Sequence, residues 1–421
     1  MKNTQRGLIR KSFTIHYSLC AMFYFIAVVL PAQVPGLDAP DLGSQAAVLM
    51  DAATGTVLYA KNADDEIPPA SLAKLMAIHV ALNEVAAGRA SLDDIVPLPR
   101  AAWATSQPPR SSLMFLAPGQ TVTLREIFLG LAIPSGNDAA VAVALYFSPT
   151  IEAFVEQMNQ EARSLGLSKT RFVEPSGISE HNMTTAMEFA LFCREYLRFH
   201  PETLQDYHSV REFAYPKAEN VTPSYRTRPG TIRQYNHNVF LETFEGTDGL
   251  KTGYIDEAGY NIAITAERNG TRFIVVILGA PAVYGGSRIR DTDGRKLLSW
   301  GFEHFKTLRP VLDDLPPIRI WKGKENHAAF VPGEVLEFTT LRDRATSADT
   351  LRWEIELIDP IIAPLPQGSS VGNLVLYDEI GELRRMPLIT ATDIEAGGFF
   401  KRLCDSIHLF FRSLFKTSAR A

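Results

Sequence analysis

Val48-Leu49-Met50 and Val57-Leu58-Tyr59 are short apolar runs on either side of Asp51-Ala52-Ala53-Thr54-Gly55. Apolar runs around a turn-forming segment predict a β-hairpin over residues 46–59. After Pro68-Pro69 the period changes. From Ser71 to about Val85, residues Leu72, Leu75, Met76, Ile78, Val80 and Leu82 cover most of a helical circumference, the mark of a central, buried helix. Ser71 and Lys74, three apart, share one face of its first turn. Further helices are predicted over 124–132, 138–146 and 150–165. Residues 260–266 and 271–278 are β-rich and are joined by Glu267-Arg268-Asn269-Gly270, a hairpin signal. A closing helix is predicted over 296–305. Strands at both ends with helices between predict an α/β (mixed α+β) domain whose antiparallel sheet has its first and last strands as neighbours.

The pattern shifts near Arg309. Beyond Pro316-Pro317 come short alternating segments at 318–321, 335–338, 351–358 and 371–377. They predict a small all-β domain over 310–394, after a larger domain over 41–308. The last segment, 397–421, carries the clearest amphipathic helix. Phe399, Phe400, Leu403, Ile407, Phe410 and Phe411 share one half of its wheel, and Leu409 is the apolar exception on the other. Five basic residues stand against Asp405 from position 401 onward. Such a helix suits a membrane interface, each cation adding roughly 1 kcal/mol near anionic lipid. The opposing expectation is a helix docked on the protein's own core.

At the other end, Lys2, Arg6, Arg10 and Lys11 precede an apolar run from Tyr17 to Leu30. The run is short of the ~20 residues that span a bilayer. Residues 1–32 are therefore expected to be an export signal cleaved after Leu30-Pro31-Ala32; an uncleaved anchor would also leave the rest outside the cytoplasm. The 421 residues are 46% hydrophobic and 21% charged, with a net charge of −5. These values are ordinary for a globular protein and lack the basic excess of a nucleic-acid binder. With Cys20 in the signal, Cys193 and Cys404 stand far apart, so neither a disulfide framework nor a metal site is expected.

Three short motifs follow one another: Ser71-Leu72-Ala73-Lys74, Ser135-Gly136-Asn137 and Lys251-Thr252-Gly253. Each alone is weak, and Ser413-Leu414-Phe415-Lys416 repeats the first spacing inside the tail. A serine hydroxyl needs a neighbouring base to become a nucleophile. Lys74 is one turn away, and burial beside a second cation, for which Lys251 is the candidate, would make it neutral. The backbone N–H of a residue that opens a helix also suits a developing oxyanion. Ser135 can relay a proton to a departing amine and Asn137 can hold a substrate amide, although either residue can instead cap a helix. Lys251 adds positive charge, Thr252 a hydroxyl, and Gly253 room for a substrate backbone.

The order of nucleophile, polar loop and cationic strand resembles the serine penicillin-recognising enzymes. Ser112-Leu113-Met114-Phe115-Leu116, Asp248-Gly249-Leu250, Ala258-Gly259-Tyr260-Asn261 and Leu297-Leu298-Ser299-Trp300-Gly301-Phe302 resemble the D-alanyl-D-alanine carboxypeptidases, the low-molecular-mass penicillin-binding proteins. The resemblance implies a β-lactamase/transpeptidase-like fold and removal of the terminal D-alanine from peptidoglycan stem pentapeptides. It implies an acyl-enzyme on Ser71 with Lys74 as base, and an oxyanion hole made by the backbone N–H groups of Ser71 and Tyr254. Ser135, supported by Lys251, would protonate the leaving D-alanine. Asn137, Lys251, Thr252 and Arg290 would bind substrate, with Thr252 and Arg290 on its terminal carboxylate and Arg288 as a rival. β-Lactams would acylate the same serine, without a cofactor. The site of action would be the periplasm, at the outer face of the cytoplasmic membrane, with the tail as anchor. Two positions depart from the family pattern: Tyr254 and Ser176, the latter in Glu174-Pro175-Ser176-Gly177.

The rivals fit less well. A β-lactamase with a dedicated glutamate base prefers Asp where Gly136 stands and needs E-x-x-L-N, but Glu188-Phe189-Ala190-Leu191 is followed by Phe192. A non-catalytic cell-wall scaffold needs neither Ser71 nor Lys74. A Ser/His/Asp hydrolase would carry a G-x-S-x-G elbow, which is missing, and no histidine stands out; His79 is expected to pack locally.

Overall fold

Alternate residues of the first strand, β1 (Ala46–Asp51), face two different cores, and every position is buried. In a strand that side-chain alternation means a layer on each face of the sheet. The computed structural model describes residues 37–225, 230–310, 312, 315–344 and 351–418; the export signal expected over 1–32 lies outside them.

The predicted hairpin is β1 with β2 (Val57–Lys61). Five helices follow: α1 (Ala73–Ala86), α2 (Leu124–Ala132), α3 (Asn137–Phe147), α4 (Ile151–Ser164) and α5 (Ala186–Phe199). A short pair of strands, β3 (Glu212–Tyr215) and β4 (Ile232–Tyr235), and one turn, α6 (Phe240–Thr243), lead back to the sheet. There β5 (Thr247–Ile255), β6 (Gly259–Arg268) and β7 (Thr271–Ala280) complete the order β2-β1-β7-β6-β5, antiparallel throughout. First and last strands are neighbours, as expected, with Val48 opposite Val276. Val48, Met50, Ile274 and Val276 pack on the layer of α1 to α5. Leu49, Val275 and Ile277 pack with Leu297, Leu298 and Phe302 of α7 (Gly286–His304). That helix starts well before the predicted residue 296; polar residues fill its first turns and hide them from the apolar pattern, although Arg290 and Asp293 are buried there.

The helix expected from Ser71 also begins differently. Ala70 takes a φ of +51° and opens a 3-10 turn, Ala70–Leu72, that feeds α1. Ser71 thus sits in a tight turn, and Lys74 at the first turn of the α-helix. All of α1 from Ala73 to Leu82 is buried.

Beyond α7, β8 (Phe305–Leu308), β9 (Ile318–Arg319), β10 (His327–Ala328), β11 (Phe330–Pro332), β12 (Phe338–Leu341), β13 (Arg352–Leu357), β14 (Ser370–Tyr377) and β15 (Glu382–Thr390) form small antiparallel sheets. The largest has the order β11-β15-β14-β13. The strand expected over 335–338 is corrected: Val335 is exposed, and only Phe338 enters a strand, which pairs with β8 rather than joining that sheet. Strand β15 escaped the sequence reading because Arg384, Arg385 and Pro387 interrupt its apolar alternation. Asp51 ties the two parts together, accepting from Thr307 Oγ1 at 2.6 Å and Thr339 Oγ1 at 2.9 Å.

The tail is helical as expected, α8 (Phe399–Ser418), but it docks by its polar stripe. Asp405, buried, accepts from the Lys322 N–H at 2.7 Å and from Lys401 Nζ, and Arg412 pairs with Asp359. Leu409, the exception on the wheel, is the apolar residue on this inward side and is half-buried. The opposite face is open: Phe399, Phe400 and Phe410 are 74%, 79% and 61% exposed. Among the described residues no single helix is long and apolar enough to cross a membrane.

Candidate active site

Burial strips a lysine's charged form of its hydration, and Lys74 is completely buried. Its Nζ donates to Ser71 Oγ at 2.9 Å, to Asn137 Oδ1 at 2.9 Å and to the Ser176 carbonyl. Burial lowers its pKa to about 7, against the charges of Glu174 and Asp138. Burial is the leading cause at Lys74, and the repulsion between Lys74 and Lys251 disfavours the charged form of both amines. Lys251 is itself pushed well below the usual lysine range, by burial first and then by Lys74 and Arg290.

Ser135 and Asn137, which can each cap a helix, do not do so here. The N-cap of α3 is Gly136, without a side-chain cap. Ser135 is buried at a φ of +61°, and among the described residues its hydroxyl has no hydrogen-bond partner. Leaving a buried hydroxyl unpaired costs about 1–3 kcal/mol, which argues for a ligand-facing role. Asn137 turns its amide oxygen to Lys74. Gly136 is required by crowding: an added Cβ would lie 2.7 Å from Asp138 Oδ1 and 2.8 Å from the Met114 nitrogen. Asp138, given no role by the sequence reading, builds this corner. Its carboxylate accepts from the N–H groups of Met114, Leu116 and Ala139 at 2.8, 2.9 and 3.0 Å. Burial pushes its pKa up while these N–H groups hold it down. Its position directly after the serine-glycine-asparagine motif was the available signal.

Strand β5 runs against the turn that carries Ser71. A Cβ on Gly253 would lie 3.0 Å from the Ser71 nitrogen; one on Gly177, at a φ of +83°, would lie 2.8 Å from it and 1.9 Å from the Ala70 oxygen. Two backbones thus converge on the Ser71 peptide. Lys251 Nζ donates to the Thr252 carbonyl at 2.9 Å, and both residues are buried. Arg290 is buried and bonded to Asp291 through Nε and Nη2; its charge reaches Lys251 and His237, whereas Arg288 is exposed. Tyr254 is 40% exposed, donates its hydroxyl to Asp256 and lies 4.3 Å from the Tyr260 ring.

Two histidines that the sequence reading passed over flank Lys251. His237 meets solvent, yet desolvation and the cations Lys251, Arg290 and Lys74 lower its pKa to about 4. His208, 2.7 Å from the Tyr196 hydroxyl, is lowered to about 3 by burial and then by Lys251. Both rings are therefore neutral near pH 7. His79 packs locally, between Glu161 and His200. Glu188 lies in the first turn of α5, where it accepts from the Lys169 N–H and the Thr170 hydroxyl.

The fold is that of the penicillin-recognising serine enzymes. Residues 33–282 match the D-alanyl-D-alanine carboxypeptidase family and residues 306–396 match the C-terminal domain of penicillin-binding protein 5. The chain belongs to the D-alanyl-D-alanine carboxypeptidases and is a serine-type hydrolase of that class. The D-alanyl-D-alanine carboxypeptidase DacC of Escherichia coli (strain K12) is 33% identical over 402 residues, covering 94% of this chain and 95% of the relative. Penicillin-binding protein 5 from Haemophilus influenzae superposes with a TM-score of 0.73 at 29% identity, covering 86% of this chain and 100% of that one. Penicillin-binding protein D2 from Listeria monocytogenes, solved in a cefotaxime-bound form, has a TM-score of 0.54 at 29% identity, over 63% of this chain and 100% of that one.

Proposed function

We propose that the protein removes the terminal D-alanine of peptidoglycan stem pentapeptides, with Ser71 as nucleophile and Lys74 as its base. Neutral Lys74 takes the Ser71 proton as the oxygen attacks the carbonyl between the two D-alanines. The N–H groups of Ser71 and Tyr254 receive the oxyanion. Ser135, whose hydroxyl has no partner among the described residues, relays the proton taken up by Lys74 to the leaving amine beside Lys251. The Asn137 amide oxygen is engaged by Lys74, which leaves its NH2 for the substrate backbone. Thr252 and Arg290 bind the terminal carboxylate. Water then releases the acyl group, and a β-lactam acylates the same oxygen.

The observation that carries this reading is Lys74 Nζ, buried and 2.9 Å from Ser71 Oγ. Purified protein incubated with diacetyl-L-lysyl-D-alanyl-D-alanine should release D-alanine and should be labelled by a fluorescent penicillin. Ser71→Ala should lose both, a fall of about 10⁴-fold or more in turnover. Neither signal from the unmutated protein would reject the reading.

The chain is exported and rests on the outer face of the cytoplasmic membrane through α8, in this reading. The support is the exposed phenylalanine face. Lys401 and Arg412 are paired with Asp405 and Asp359, so apolar burial contributes more than lipid charge.

A further inference from the structure

The segment after Phe172 is built around one carboxylate. Glu174 Oε2 accepts from the Ser176 N–H at 2.7 Å and the Ser176 hydroxyl at 2.5 Å. Its Oε1 accepts from the Gly177 N–H at 2.7 Å, the Ser179 N–H at 3.2 Å and Asn182 Nδ2 at 2.7 Å. Asn182 is fully buried and returns its own oxygen to the Val173 N–H at 2.7 Å. Five donors on a group with about four lone-pair sites leave none for water. Glu174 is therefore not a free base for hydrolysis. What the knot does is hold two backbone groups against the reacting pair. The Ser176 carbonyl accepts from Lys74 Nζ, and Gly177 lies so close to Ala70 and Ser71 that no side chain fits.

We propose that Glu174 is a positioning residue of the acylation site: its carboxylate folds residues 174–182 into a cradle that holds the Lys74 amine through the Ser176 carbonyl and backs the Ser71 peptide with Gly177. The inference rests on Ser71 and Lys74 being nucleophile and base. It gives the chain a further requirement for acylation, outside the three motifs. The charged and titratable groups facing Lys74 are Glu174, Asp138, Lys251 and His237. Glu174 and Asp138 favour its charged form, so removing the Glu174 charge favours the neutral amine.

The test is the rate of acylation by a fluorescent penicillin between pH 5 and 9, for the full chain and for Glu174→Gln. The Gln amide places donors against backbone donors, so the cradle loosens. The rate at pH 8 should fall roughly 10- to 100-fold, the scale of a misplaced reacting pair. The acid limb of the profile should move to lower pH. A purely structural role would lower the melting temperature and leave the limb in place. An unchanged rate, or a limb that stays or moves upward, overturns the proposal. If Glu174→Gln does not fold, Glu174→Asp decides: the charge remains but one methylene is lost. It should acylate at least about tenfold more slowly with the limb unmoved, and the original rate would overturn the idea. The unmutated protein is the control: if it is not labelled, the functional reading fails instead.

Discussion

Helices α1 and α8 solve opposite problems with similar residue types. In α1 an ionisable lysine is buried against Ser71, Asn137 and the Ser176 carbonyl, while in α8 phenylalanines stand in solvent and the polar stripe faces the protein. Burial lowers the pKa of an amine in the first case, because the charged form loses its hydration. Exposure leaves apolar area unspent in the second, available to a membrane interface. The helix that departs most from the usual rule of polar outside is in each case the one assigned a function, and the two functions should separate cleanly.

The largest break falls on α1. Lys74→Arg keeps the charge but replaces a titratable amine by a guanidinium that stays protonated. Acylation by a fluorescent penicillin should fall by about 10³-fold or more; a near-normal rate would mean that Lys74 is not the base. Gly177→Ala comes next. Its Cβ would press on the Ala70 oxygen, 1.9 Å away before adjustment, and should slow acylation about 100-fold through displacement of the Ser71 turn. Deleting residues 398–421 should leave the D-alanine release rate within about twofold, because α8 contacts only the β domain among the contacts described above. The same deletion should abolish sedimentation with anionic lipid vesicles. Loss of activity together with binding would join the two regions that the comparison separates.

Much of this contrast was legible in the sequence. The all-round apolar pattern of 72–82 gave a buried helix, and the wheel of 399–411 gave an amphipathic one. That the first and last strands of the larger domain are neighbours followed from strands at both of its ends. Less legible were features that depend on contacts distant in sequence. Asp138 and Glu174 are lone carboxylates in sequence and become organisers only when several backbone N–H groups turn towards them. His237 carries no motif, and its setting among Lys251, Arg290 and Lys74 arises when α6 folds back before β5. The direction in which α8 faces was equally hidden, since an amphipathic pattern states which residues segregate but not which side is covered.

The central claim is that burial leaves Lys74 ready to accept the Ser71 proton near neutral pH. The active form is the neutral amine, so the acylation rate should rise with pH and level off above the pKa. With a value of about 7, the second-order rate of penicillin acylation should fall about tenfold for each pH unit below 7. That profile, measured on the unmutated protein between pH 5 and 9 with the fold checked at each end, is the most direct test. A half-maximal point near 7 is the predicted result; a rate independent of pH, or one still rising tenfold per unit at pH 9, would contradict it.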